Sequence, residues 1–281
     1  MDKATQTTLA QRFRAMHSSP PLLLLPNAWD AMSARIFEAA RFSAVATTSG
    51  GVAWALGYPD GEQAPWSEIV AATARIARSV RVPVTADIEG GYGATPADVA
   101  SSIADIIGAG AVGVNLEDST PRPDMPIRSI EDAAARIRAA RNAATEAGVP
   151  LVINARIDVY SKHIGDDATR FDETVRRAKA YVAAGADCVY PIGLTDIKTV
   201  EELVKAVKAP INIIGRHGMP PVDQWERIGV ARISTATGPT LATISLARQL
   251  AEDLYAERRF DKLTATVTRA DLQKLFGNRS A

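Results

Sequence analysis

Apolar residues in this chain gather in short runs at 22–25, 44–48, 82–88, 111–116, 150–155, 188–191, 211–214 and 232–235, each followed by a longer stretch with apolar positions at helical spacing. Short runs rich in Val, Ile and Ala predict buried strands, and the stretches between them predict amphipathic helices. The helices are expected to begin near Asp30, Ser67, Thr95, Ser129, Arg170, Thr195, Pro221 and Gly238. Several of these starts carry an Asp, Ser or Thr suited to capping the first turn, or a Pro within it. Ala-Gly-Ala steps at 109–111 and 184–186 supply the left-handed residue that ends a helix before the next strand. Eight strand–helix units without a linker predict one α/β domain over 1–281, a (β/α)8 TIM barrel with its core at about 20–257. A helix over 5–16 is expected before the barrel, and helices over 258–276 within a C-terminal extension of about 258–281. An open, doubly wound sheet is the competing architecture.

Composition narrows the partners. Lys plus Arg and Asp plus Glu balance at 32 each, so no basic field exists to attract nucleic acid or an anionic membrane. The one cysteine, Cys188, excludes an intrachain disulfide framework and fits the reducing cytoplasm. Residues 1–16 are polar and mixed in charge, and the longest apolar run, 20–26, is too short to span a bilayer, so neither export nor membrane insertion is expected.

Two of the apolar runs stop on carboxylates. Asp87 and Glu89 close the third run, and Glu117 and Asp118 close the fourth. Side chains alternate along a strand, so Asp87 and Glu89 point the same way, roughly 6–7 Å apart. Acids so placed either stay in water or surround a cation, and an all-oxygen donor set suits Mg2+ or Mn2+ better than zinc. In a barrel the active site lies at the C-terminal strand ends. The residues there are Asn27, Asp30, the 48–51 segment, Asp60, Asp87, Glu89, Glu117, Asp118, Arg156, Asp158, Asn212, Arg216 and His217. So acid-rich a rim, with two arginines, suits a divalent cation holding an anionic substrate.

Six segments carry a family resemblance: Leu25-Pro26-Asn27-Ala28-Trp29-Asp30, Thr48-Ser49-Gly50-Gly51-Val52-Ala53, Leu56-Gly57-Tyr58-Pro59-Asp60-Gly61, Asp87-Ile88-Glu89-Gly90-Gly91-Tyr92-Gly93, Asn115-Leu116-Glu117-Asp118 and Asn154-Ala155-Arg156-Ile157-Asp158. With these the chain resembles the isocitrate lyase/phosphoenolpyruvate mutase superfamily from about residue 22 to about 250. The resemblance implies a barrel whose last helix is exchanged between subunits, a homotetramer or other homo-oligomer, and cleavage or formation of a C–C or P–C bond through a Mg2+-stabilised enolate. It implies Asp87 as direct metal ligand, with Asp60, Glu89 and Glu117 holding the metal's waters. Asp60 also matches the mutase nucleophile or base. Thr48, Ser49 and Gly50, with Gly51 beside them, resemble the loop that receives the substrate's carboxylate or oxyanion. Arg156 resembles the arginine that binds the substrate's anionic end.

The chain also departs from the family. The lyases carry a Lys-Lys/Arg-Cys-Gly-His segment after the fourth strand, with the cysteine as general acid. Residues 119–128 read Ser-Thr-Pro-Arg-Pro-Asp-Met-Pro-Ile-Arg instead, and the mutase lysine and asparagine are missing too. Ile192 stands where lyases place Glu and mutases His. Two further proton carriers at the rim, Tyr58 and His217, become candidates for acid or base work. Trp29 and Asn212 are expected beside the substrate, and Trp54 in the wall. Cys188 is expected in the core. Asp118 and Asp158 are read as supports or caps, the 90–93 glycines as a mobile gate, and Arg122 and Arg128 either as parts of a lid or as a solvated loop. The expected activity is a Mg2+-dependent C–C lyase or decarboxylase acting on a small 2-oxo or 2-hydroxy di- or tricarboxylic acid. The alternatives are P–C chemistry on phosphonopyruvate and non-catalytic binding of a 2-oxo acid.

Overall fold

In the computed structural model, which describes residues 1–18 and 20–277, nine parallel strand segments alternate with helices. The tail of the expected extension, 278–281, lies outside the described residues. Strand β1 (Leu23–Leu25) and strand β2 (Asn27–Ala28) are one run of chain interrupted at Pro26, which has no N–H for the ladder. One sheet runs β2, β3 (Val45–Thr47), β4 (Val84–Asp87), β5 (Gly113–Glu117), β6 (Val152–Ile157), β7 (Cys188–Pro191). The other runs β1, β9 (Arg232–Ser234), β8 (Asn212–Ile214). A parallel bridge from Val189 to Ile211 joins β7 to β8, and the β1–β2 run joins the other side. The ring is therefore closed as a (β/α)8 TIM barrel, with no open-sheet edge of the doubly wound kind.

The helices start where the capping chemistry places them. Asp30 and Ser33 form a reciprocal cap on α2 (Ala31–Ala39), and Thr95 and Asp98 do the same on α5 (Pro96–Gly108). Ser129 caps α6 (Ile130–Glu146). Two expected starts shift: α7 (Asp167–Ala183) begins before Arg170 because Asp166 caps it, and α8 (Ile197–Val207) begins after Thr195, capped by Asp196. α4 (Trp66–Ser79) and α9 (Val222–Arg227) begin as expected, each behind a proline. The stretch expected to be a substrate loop at 48–51 is instead the start of a further helix, α3 (Ser49–Leu56), ended by Gly57 at φ +90°. Its paired glycines weigh against a helix by propensity alone, and packing overrides them.

Ahead of the barrel, α1 (Lys3–Ala15) closes the N-terminal end. Gln6 Nε2 donates to the carbonyls of Ile107 (2.7 Å) and Ala111 (3.0 Å), and buried Phe13 lies so near Gly113 that a Cβ there would come within 2.8 Å of its Cε1. The eighth barrel helix, α10 (Gly238–Glu257), behaves differently from the others: Leu241, Ile244 and Leu246 stay 46–58% exposed. Of the extra C-terminal helices expected, α11 (Arg269–Gly277) forms and reaches back to α2 through Arg35 and the Leu275 carbonyl. No helix among the described residues is long and apolar enough to cross a membrane.

Candidate active site at the barrel mouth

Inward positions of the strands set the site. Within the barrel, Asn115 Oδ1 accepts from Asn154 Nδ2 (2.8 Å) and Arg232 Nη2 (3.2 Å), forming a polar layer one residue pair beneath the mouth. Above it, β4 ends on Asp87, β5 on Glu117, and β6 presents Arg156 opposite Glu117 in register.

Asp87 is held from two sides. Its N–H donates to Thr47 Oγ1 (2.8 Å), and its Oδ2 accepts from the Ser49 N–H (3.2 Å) at the positive end of α3. Its Oδ1 is shielded from solvent and has no hydrogen-bond partner. Burial pushes the Asp87 carboxyl up, while Arg156 and the Ser49 N–H pull it back. An unpaired buried carboxylate oxygen is costly unless a cation meets it.

Glu89 sits at φ +51°, in the left-handed region that a side-chain-bearing residue rarely adopts, and Tyr92 three residues on does the same. The bend turns the Glu89 carboxylate onto the Glu62 N–H, which donates to Oε1 (3.0 Å) and Oε2 (2.9 Å), while the Tyr92 hydroxyl donates to Oε1 (3.2 Å). Burial nevertheless pushes Glu89 up to about 8, with Asp87, Asp60 and Glu117 adding in the same direction.

Glu117 accepts from the Ser119 hydroxyl and pairs with Arg156 Nη1 at 2.5 Å. Burial raises its carboxyl and the guanidinium opposes this, while against burial Glu117 and Asp158 hold the guanidinium above its ordinary value. Arg156 Nη2 is taken by Asp158 Oδ1 at 2.7 Å. Both terminal nitrogens thus hold acids of the chain itself, and the charge expected to bind the substrate's anionic end first neutralises Glu117 and Asp158.

A shelf of buried polar groups supports these positions. Asp118 accepts from the Asp158 N–H (2.9 Å), Arg177 Nη1 (3.0 Å) and the Tyr181 hydroxyl (2.8 Å). Asp118 and Asp158 are therefore supports, as the sequence suggests.

Above the acids opens a pocket of about 250 Å³ lined by Ser49, Asp60, Glu62, Glu89, Glu117, Arg156 and residues of the 119–128 and 156–162 segments. Asp60 is exposed and reaches over the start of α3: a Cβ on Gly50 would lie 3.0 Å from its Oδ2. Gly51 is the tighter spot, where a Cβ would meet Thr48 Cγ2 at 2.6 Å and Trp29 Cβ at 2.9 Å. Trp29 and Thr48 are thus packing around the helix start.

Three other expected site residues lie apart from the pocket. Tyr58 donates its hydroxyl to Glu68 Oε1 (2.9 Å) and packs on the core beneath α4, because Gly57 turns the chain outward there. His217 is exposed between β8 and α9, outside the pocket lining. Asn212 is buried inside the barrel, donating to Ser234 Oγ (3.1 Å), since β8 directs its first residue into the interior. Cys188 is fully buried and its thiol is pushed up to about 12, in keeping with a core role. Sequence reasoning did not single out Glu62, Ser119 or Lys162 as pocket residues; Ser119, two residues past Glu117 on the same face, was findable by strand alternation, while Glu62 and Lys162 carry no local signal.

The donor set fits a hydrated hard cation. Three carboxylates, Asp87, Glu89 and Glu117, are crowded out of water, Asp60 adds its charge close to Asp87 and Glu89, and one oxygen of Asp87 is free. Among the described residues no three such side chains converge into an all-protein cage. Mg2+ commonly keeps several of its waters and needs few direct protein ligands.

Comparisons with known proteins place the chain in a family. The family model of phosphoenolpyruvate phosphomutase matches residues 13–255. A crystal structure of a candidate lyase/mutase from Burkholderia cenocepacia J2315 superposes with a TM-score of 0.90 at 34% identity, over 98% of this chain and 97% of that one. The 2-methylisocitrate lyase of Escherichia coli (strain K12) is 29% identical over 86% of this chain and 82% of its own. The oxaloacetate decarboxylase of Ectopseudomonas mendocina (strain ymp) is 29% identical over 81% of this chain and 77% of its own.

Proposed function

The chain belongs to the phosphoenolpyruvate mutase/isocitrate lyase superfamily of C–C lyases and mutases, and from that premise we propose that it is a Mg2+-dependent C–C lyase or decarboxylase acting on a small 2-oxo or 2-hydroxy di- or tricarboxylic acid. The observation that carries the reading is the unpartnered, solvent-shielded Oδ1 of Asp87 among crowded carboxylates at the barrel mouth.

Asp87 would bind the cation directly, and Glu89, Glu117 and Asp60 would hold its waters; Mn2+ suits the same oxygens. When bound, the cation supplies Lewis-acid stabilisation of the negative charge that develops on the ketone oxygen during bond cleavage. The remaining work falls to the chain. The start of α3 presents N–H groups of the 48–51 segment toward developing negative charge, one of which already meets Asp87. Arg156 balances the buried acids and keeps Glu117 oriented through its 2.5 Å ion pair. Ser119, hydrogen-bonded to Glu117, lies at the pocket wall where a hydroxyl can relay a proton between substrate and carboxylate. Asp60, exposed among the pocket-lining residues, would be the base or nucleophile of the P–C alternative.

Pyruvate release from oxaloacetate and from 2-methylmalate-type acids, assayed beside phosphate release from phosphonopyruvate with Mg2+ and with EDTA, tests the assignment. C–C cleavage that EDTA abolishes is the expected result. Phosphate release alone would transfer the assignment to P–C chemistry, and ligand-induced thermal stabilisation without any product would leave a binding protein.

A further inference from the structure

We propose that Lys162 and Arg128 form the anion-recognising end of the pocket and receive the second carboxylate of a 2-oxo or 2-hydroxy dicarboxylic acid. The inference rests on the catalytic reading above and deepens it by naming the residues that meet the substrate's far end.

The pocket lining carries both charges: Asp60, Glu62, Glu89 and Glu117 supply the acids, and Arg128 and Lys162, with Ser119, Thr120 and Pro121, come from the segments that follow β5 and β6. Arg156 also faces the pocket with an unpartnered buried Nε, but Glu117 and Asp158 hold both of its Nη groups. Lys162 has no carboxylate partner among the described residues, and Arg128 offers only Nη1 to Asp132 (3.2 Å), leaving a buried Nε without a partner. An unpaired buried donor beside an unpaired ammonium is what an anion satisfies best, and a guanidinium adds directional N–H groups.

Both cations hang from one rigid support. The Lys162 N–H donates to the Asp158 carbonyl (2.9 Å), and the Arg128 N–H donates to the Asp118 carbonyl (2.7 Å). The Arg128 carbonyl in turn accepts from Arg177 Nη1 (2.9 Å), the same atom that binds the Asp118 carboxylate. The buried Asp118–Arg177–Tyr181 cluster therefore braces the backbone from which both side chains reach the pocket. A dianionic substrate would then place one carboxylate at the cation among the acids and the other at these two positive groups.

Calorimetric titration with Mg2+ present, using two probes, separates this inference from the reading it rests on. Oxalate occupies the cation end alone, whereas malate carries a second carboxylate beyond its hydroxyl-bearing carbon. Lys162→Met and Arg128→Met are each expected to weaken malate binding roughly tenfold or more and to leave oxalate within about twofold of wild type. Unchanged malate affinity in both variants, an equal loss for both probes, or a wild type that binds oxalate but not malate overturns the inference and leaves the catalytic reading standing. A wild type that binds neither probe overturns both. Lys162 is exposed and lies outside the core, so its variant remains a valid test should Arg128→Met fold poorly.

Discussion

Asp118 shows how a residue that touches no substrate can govern the site. Its carboxylate satisfies the Asp158 N–H, Arg177 and Tyr181 at once, in a place where none of the three has access to water. Removing it leaves Arg177 with Glu173 as its remaining counter-ion and strands the buried Asp158 N–H and Tyr181 hydroxyl, each at a cost of about 1–3 kcal/mol. Asp118→Ala is therefore expected to lower the urea midpoint by an amount equivalent to about 3 kcal/mol or more, with an unchanged slope. A loss below about 1 kcal/mol would mean that the cluster is solvated and does not brace the mouth.

At this scale the sequence was informative wherever a residue stands at a strand end. Asp87, Glu117 and Arg156 follow from alternation along apolar runs, and the structure brings them to one mouth with Ser49, Asp60 and Glu89. Tyr58 and His217 lie apart because proximity to a strand end in sequence does not fix the direction of the loop: Gly57 at φ +90° turns Tyr58 toward Glu68. Lys162 was invisible because an exposed loop lysine has no periodicity and no motif to mark it.

Among the elements, α3 and α10 depart most from what the pattern implies. The glycine pair of α3 reads as loop, yet the close approach of Thr48, Trp29 and Thr240 to Gly51 requires the missing side chain. That requirement is tertiary, so local propensity does not record it. In contrast, α10 was legible as a helix and as the eighth of the barrel, and its exchange with a neighbouring subunit is what the resemblance implies. Its apolar residues Leu241, Ile244 and Leu246 face solvent in the single chain. Large apolar residues exposed around a helix need a cover, and we propose a second copy of the chain, in line with the helix exchange that the resemblance implies. Sedimentation at micromolar concentration is expected to give an oligomer for the wild type, and a smaller species when Leu241 and Ile244 are both changed to Glu. A wild type that sediments as a monomer throughout that range contradicts the exchange.

For the whole molecule, the eight-unit barrel was readable because strand runs and capped helices repeat without a break, and the β1–β2 interruption at Pro26 did not disturb the count. What the barrel concentrates at its mouth is unfavourable charge, and this has a consequence for stability. Glu89 is raised from an ordinary 4.5 to about 8 by burial, and Glu117 and Asp87 shift in the same direction. A carboxyl whose folded value exceeds its unfolded one binds more protons when folded, so it favours folding at low pH, and that contribution fades as pH rises through the window from about 4.5 to about 8. The metal-free protein is thus expected to lose thermal stability as pH rises across that window. Mg2+, which binds the deprotonated acids, is expected to raise the melting temperature more at pH 8 than at pH 5. Melting curves with EDTA that are flat across the window, or a larger Mg2+ effect at the acidic end, would contradict the crowding of these acids.

The central claim is that a divalent cation belongs at the mouth, gripped first by Asp87. Titrating Mg2+ into the oxalate-saturated protein by calorimetry, for the wild type and Asp87→Ala side by side, tests it most directly. One Mg2+ per chain in the wild type and no measurable binding in the variant is the predicted outcome, with turnover lost in parallel. Equal Mg2+ affinity in both proteins, or an absence of binding in the wild type, would contradict it.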